Sequence, residues 1–144
     1  MRIKKRKGIS KVMYDGIQFD SSLEVYCYKK LKAAGFSFSY NQHTFELVKG
    51  FTANSDSYEP DKRTGKEMAL HSNRLMNIKY TPDFIGDWWI IETKGRKNES
   101  FPMRWKLFRR YLLEQGLHYT LFMPRNQSHV DQAITIINER NGVR

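Results

Sequence analysis

Two β-rich runs, Lys79–Ile85 and Trp88–Lys94, flank a Gly86-Asp87 pair, and no other stretch narrows the fold as much. Phe84, Ile85, Trp88, Trp89, Ile90 and Ile91 leave no polar alternation, so a hairpin built from these runs needs cover on both faces. Glycine at the first position of a two-residue loop suits a type II′ turn. That register sets Ile85 opposite Trp88 and Asp83 opposite Ile90. Period-two alternation then places Asp83, Ile90, Glu92 and Lys94 on one side, with Phe84, Trp89, Ile91 and Thr93 on the other. Asp83 and Glu92 become diagonal neighbours, roughly 7–8 Å apart at the backbone.

Charges on a strand face are ordinarily a solvated surface with a cross-strand ion pair. Two features argue otherwise here. The flanking residues are apolar on both faces, and Pro82 removes a ladder donor immediately before Asp83, which a sheet tolerates at strand starts, bulges or edges. Two carboxylates and an ammonium at such a point need a partner. A hard cation such as Mg²⁺ takes oxygen ligands and keeps waters that a phosphate can displace. Held by Asp83 and Glu92, it would polarise a phosphodiester and acidify a bound water. Lys94, two residues beyond Glu92, would orient that water and stabilise charge developing on phosphorus.

The rest of the chain reads as cover for this hairpin. Tyr14-Asp15-Gly16 is a turn signal. Ser21 and Glu24 have the spacing of a capping box, and Leu23, Cys27 and Leu31 predict a helix from there to Ala34, stopped by Gly35. Phe36, Phe38 and Tyr40 alternate as one strand, and Phe45–Val48 as a second. From Thr52 to Arg74 the polar, Gly- and Pro-containing composition predicts an exposed loop or insertion, with a short helix near Met68–Met76. A helix follows from Phe101 to Gly116, then a short strand at Tyr119–Met123 and a C-terminal helix capped by Ser128. This order makes an α/β fold, a central mixed sheet with helices on its faces.

Composition narrows the partner. Lys and Arg number 25 against 15 Asp and Glu, a formal charge of +10, while 14% aromatic content is too high for a disordered basic tail. A polyanion is the expected ligand. No apolar run is long enough to span a membrane, and none follows the basic N-terminus as a signal peptide would, so the expected location is cytoplasmic with no membrane partner. Cys27 is the only cysteine and reads as a packed thiol. His43, His71, His118 and His129 show no ligand spacing, and no glycine-rich phosphate loop occurs. Residues 1–13 read as a flexible basic arm, and 14–144 as one domain with an insertion at about 52–78.

The order Pro82-Asp83…Glu92-Thr93-Lys94 resembles the motif of the PD-(D/E)XK nuclease superfamily. Lys7-Gly8-Ile9, Phe19–Glu24, Gly35–Tyr40, Tyr80–Phe84 and Ile91–Gly95 are similar to the phage endonuclease I type of Holliday-junction resolvase and to related small phage nucleases. The resemblance covers about residues 7–115. It implies a restriction-endonuclease-like core, with Asp83, Glu92 and the Thr93 carbonyl holding Mg²⁺ (or Mn²⁺) and Lys94 as catalytic lysine. Glu24 matches a further acidic residue that would allow a second ion; the residues alone also fit Glu24 as the capping partner of Ser21. Ser39 stands where that type carries another acid, and the 52–79 stretch is an insertion relative to it.

The expected activity is metal-dependent hydrolysis of DNA phosphodiesters, on branched DNA, by a protein acting in a phage-infected or prophage-bearing cell. Cleavage of linear duplex and non-catalytic DNA binding by the same fold are the alternatives. Lys4, Lys5, Arg6, Lys7 and Lys11 of the arm, Arg96 and Lys97 after the lysine, and Arg104 and Arg109 on the following helix are the expected backbone contacts. Two strands of a junction need two active sites, so a homodimer is compatible with this reading.

Overall fold

The computed structural model describes residues 11–94 and 100–143. Among these the chain runs β1 (Val12–Tyr14), β2 (Ile17–Phe19), α1 (Ser22–Ala33), β3 (Ser39–Tyr40), β4 (Phe45–Val48), β5 (Phe51–Thr52), β6 (Tyr58–Pro60), β7 (Met68–Leu70), β8 (Arg74–Leu75), β9 (Ile78–Tyr80), β10 (Phe84–Ile85), β11 (Trp89–Ile91), α2 (Phe101–Glu114), β12 (Thr120–Phe122) and α3 (Gln127–Val143). They form two compact units, Thr44–Tyr80 and the stretches on either side of it. No helix among the described residues is long and apolar enough to cross a membrane.

The flanking stretches build a mixed four-stranded sheet in the order β12-β11-β10-β3. β11 runs parallel to β12, and β10 is antiparallel to both β11 and β3. Phe84, Trp89 and Ile91 present one face of it to Val25, Cys27, Tyr28 and Leu31 of α1 and to Val130 and Ile137 of α3. Helical spacing puts those α1 and α3 residues on single stripes, which is why the two helices also pack against each other. Ile90 points to the other face and is fully buried, as is Phe108 of α2. Each such side chain contributes roughly 1.5–3 kcal/mol on burial.

Local signals set the boundaries. Asp15 and Gly16 both have positive φ (53° and 70°), the conformation a two-residue type I′ loop requires between β1 and β2. This ladder already includes Val12 and Met13, within the stretch read as a basic arm. Ser21 caps α1 through its hydroxyl, and Gly35 at φ 74° ends it. The cap of α3 is Asn126 rather than Ser128: the Asn126 carboxamide oxygen accepts the His129 N–H at 2.8 Å. Of the run Phe36–Tyr40 only Ser39 and Tyr40 pair in the sheet; Phe36 and Phe38 instead pack their rings against the core.

The central hairpin differs from its sequence reading in register. Phe84 pairs with Ile91 and Ile85 with Ile90, and the Gly86 N–H donates to the Trp89 carbonyl at 2.9 Å, so the two connecting residues are Asp87 and Trp88 instead of Gly86 and Asp87. The reason is the size of Trp89. Its indole lies over the backbone at Gly86, where an added Cβ would stand 2.1 Å from ring atom Cε2. The parity of the two strands is unchanged by this shift of two. Extending the pairing by one residue brings Asp83 directly opposite Glu92 instead of diagonal to it.

The run Lys79–Ile85 is also divided. β9 pairs with β4, whereas β10, beyond Thr81-Pro82, pairs with β11 and β3. Within Thr44–Tyr80, β4 pairs with β9, β5 with β8 and β6 with β7, nested as one interrupted antiparallel ribbon. This replaces the loop and short helix expected between 52 and 76. Tyr58, Pro60, Met68 and Leu70 fall on one side of β6–β7, so the spacing of Met68 and Leu70 is a strand period. At its tip the Asp61 carboxylate accepts the Arg63 and Thr64 amides, and Gly65 turns at φ 66°.

The fit of Trp89 over Gly86 yields a direct test. Gly86→Ala is expected to destabilise the protein by about 1–3 kcal/mol, the usual cost of overpacking, measured as a lowered denaturation midpoint with an unchanged slope.

Candidate active site

Beyond Phe84 and Ile91 the β10–β11 ladder is continued by side chains. The Asp83 N–H donates to Glu92 Oε2 at 3.2 Å. In return Asp83 Oδ2 accepts the Thr93 N–H at 2.8 Å and the Thr93 hydroxyl at 2.7 Å. The Asp83 carbonyl accepts the Asn41 N–H at 2.8 Å, with Asn41 at φ 51°, a left-handed conformation that asparagine tolerates. Main chain and carboxylate of Asp83 are thereby held from three sides. On the other flank, Glu92 and Lys94 keep pairing past β11, donating their amides to the Phe122 and Pro124 carbonyls.

Lys94 lies on the same side of its strand as Glu92. Its Nζ is 3.3 Å from Glu92 Oε1 and 4.0 Å from the Phe101 ring centroid at the start of α2. The side chain is only 19% exposed, so its stem is packed and its head has two fixed neighbours.

Glu24 enters from the first turn of α1 and is 7% exposed. Its amide is bonded by Ser21 Oγ at 3.2 Å, the first half of a capping box. The return half is displaced: the Glu24 carboxylate accepts the Asp20 N–H at 3.3 Å and the Tyr40 hydroxyl at 2.5 Å. Sequence reading overlooked Tyr40. Its signal was a phenol alternating with Phe36 and Phe38 on a covered strand, since a buried tyrosine hydroxyl needs an acceptor.

These acids share one field. Burial pushes the Asp83 carboxyl well above its ordinary value, and repulsion from Glu92 and then Glu24 adds to it, outweighing the Thr93 hydrogen bonds. Burial likewise raises Glu24, against the bonds from Tyr40 and Asp20 that favour its ionised form. Cys27, fully buried, is pushed up by burial and by Asp83 and Glu24, which keeps it a thiol rather than a nucleophile.

Among the described residues, no group of three or more His, Cys, Asp or Glu side chains stands in the arrangement of a preformed ion cage. The donor chemistry still fits a hard divalent cation: all three acids offer oxygen, and the charge that raises Asp83 is what such an ion would neutralise. The oxygens also have protein partners, Thr93 on Asp83 and both Lys94 and the Asp83 amide on Glu92. Thr93 contributes its amide and hydroxyl here, through Asp83.

The expected DNA contacts are divided. Lys4, Lys5, Arg6, Lys7, Arg96 and Lys97 lie outside the described residues. Lys11 and Arg109 are exposed, and Arg104 is half-buried.

A family described as "Protein of unknown function (DUF1064)" matches residues 4–126, most of the chain and every residue of this site. The chain belongs to the DUF1064 family. Its matched span takes in α1, the whole four-stranded sheet and α2, and ends just before α3. No curated protein and no solved structure matches this DUF1064 chain.

The raised Asp83 carboxyl predicts a pH dependence with a definite sign. A carboxyl whose folded pKa lies above its unfolded one contributes most stability below the unfolded value, and that contribution is lost as pH rises through the folded value. In EDTA, Asp83→Asn should therefore be more stable than the wild type near pH 7.5. The difference should shrink as pH falls toward about 4. Paired thermal melts across pH check this; an equal or lower midpoint for Asp83→Asn at neutral pH contradicts it.

Proposed function

We propose that this chain is a metal-dependent endodeoxyribonuclease with a restriction-endonuclease-like core, hydrolysing phosphodiesters of branched DNA. The observation that carries the reading is Asp83 facing Glu92 across a strand pair, with Lys94 one step along the same side and its Nζ 3.3 Å from Glu92. The resemblance of Pro82-Asp83…Glu92-Thr93-Lys94 to PD-(D/E)XK nucleases supports it, as does the formal charge of +10 over the whole chain.

A bound Mg²⁺ or Mn²⁺ supplies Lewis acidity toward the phosphate and a water of lowered pKa. Asp83 and Glu92 would hold it, and Glu24 would add a third carboxylate for one ion or a second. Hydrogen bonds from Thr93 to its carboxylate and from Asn41 to its carbonyl fix the position of Asp83 on its strand. Lys94, kept near Glu92 by the Phe101 ring, orients the attacking water and stabilises the charge that develops on the phosphate oxygens. Water adds to phosphorus as the ester oxygen leaves, so each cut yields one hydroxyl and one phosphate end. A second copy of the chain would supply the second cut that a four-way junction needs.

The test is cleavage of a four-way junction, a linear duplex and a single strand, with Mg²⁺ and with EDTA. Wild type should cut the junction fastest and nothing in EDTA, and Lys94→Ala should be slower by roughly 10²–10³-fold. No cleavage of any substrate in Mg²⁺ or Mn²⁺ refutes the enzyme; equal rates on junction and duplex refute the preference for branched DNA.

A further inference from the structure

The sign of the charge around the candidate site poses a problem for its substrate. Glu24, Asp83 and Glu92 repel a phosphodiester, and Lys94 is already engaged with Glu92. A DNA backbone approaching this cluster needs a further fixed cation, and α2 carries one. Arg104 follows Phe101 by three residues and precedes Phe108 by four, so the three share one helix face. Phe101 and Phe108 are both buried, which makes this the inward face of α2. Arg104 Nε is shielded from solvent and has no hydrogen-bond partner.

That state is unusual. Arginine cannot shed its charge, and a buried N–H without an acceptor carries a free-energy cost that an apolar side chain of similar length avoids. Lys106, Arg109 and Arg110 on the same helix are exposed, and Arg110 is satisfied by Glu114 at 2.7 Å. The turn that bears Arg104 is tied to the site, because the Phe101 ring lies 4.0 Å from Lys94 Nζ. The carboxylates of the site already have partners: Glu92 has Lys94 and the Asp83 amide, Asp83 has Thr93, and Glu24 has Tyr40 and the Asp20 amide.

We infer that Arg104 is a substrate-binding residue of this site, its guanidinium receiving a non-bridging phosphate oxygen of the DNA backbone beside the linkage that is cut. The inference rests on the nuclease reading above and deepens it. The phosphate contact is assigned to the inward face of α2, where Arg104 Nε is shielded from solvent, instead of to the exposed cations of that helix. A planar guanidinium suits this task because it can grip two phosphate oxygens at once.

The experiment compares wild type with Arg104→Met, which keeps the stem and removes the cation, and Arg104→Lys, which keeps the charge and removes the fork. Binding of a four-way junction and of a linear duplex is measured in EDTA over a range of NaCl, beside thermal unfolding and single-turnover cleavage in Mg²⁺. Arg104→Met should unfold at or above the wild-type temperature and bind both DNAs roughly tenfold or more weakly. Its salt dependence should flatten by about one phosphate contact. Arg104→Lys should recover part of the affinity and the salt slope. Wild-type affinity and salt slope in Arg104→Met overturn the inference. So does a loss of binding matched by a lowered unfolding temperature in both variants, which is the signature of a packing role. Wild type that binds DNA but cuts nothing in Mg²⁺ or Mn²⁺ refutes the nuclease, while the EDTA binding comparison still decides whether Arg104 holds phosphate.

Discussion

Asp83 and Glu92 stand opposite each other where β10 and β11 leave the ladder, and each carboxylate holds the other's strand. Glu92 accepts the Asp83 amide, and Asp83 accepts the amide and hydroxyl of Thr93. These bonds replace the backbone pairing that would end at Phe84 and Ile91, so the strands stay in register for two further residues. Everything else at the site follows from that. Lys94 is carried to Glu92 because β11 continues alongside β12, and Phe101 closes over the lysine from α2. The same bonds fix two like charges near each other inside a covered sheet, and the repulsion shows in Asp83.

Such a centre is destabilising on its own. Glu24 is the most favourably placed of the three acids, in the first turn of α1, where the helix dipole and the Ser21 cap favour a negative group. Yet its carboxylate turns to Tyr40 instead of completing the box, which leaves it facing the other acids' field. A fold that retains three buried or half-buried carboxylates has stability to gain from any cation that binds them, and this links the charge pattern to the proposed chemistry. In the proposed nuclease the surplus of basic residues would serve affinity for DNA, and the acidic minority the reaction.

Much of this was legible along the chain because the signals are local. The capping serine, the Gly35 stop, the helices over residues 22–33 and 101–114, and the sharing of one strand side by Glu92 and Lys94 all depend on spacing of a few residues. Apart from the α3 cap, the largest errors fall where a distant group decides. Thr52–Arg74 has a loop's composition, but paired across a ribbon it satisfies its backbone as strands. Lys79–Ile85 reads as one run, but Pro82 lacks the N–H that would continue the ladder, and the two parts pair with different strands.

The amino-acid sequence by itself determined which residues could carry the proposed chemistry. Alternation with a period of two assigns Asp83, Glu92 and Lys94 to one side in both the expected and the observed register, because a slip of two preserves parity. Only the tertiary structure decided how they meet. Trp89 packed over Gly86 goes with a turn moved on by one residue, which makes a diagonal pair a facing one. The packing of α1 brings Glu24 and Tyr40 to the same centre. Spacing along a strand is a local property of the chain, whereas the volume of an indole and the docking of a helix act between residues that no local pattern connects.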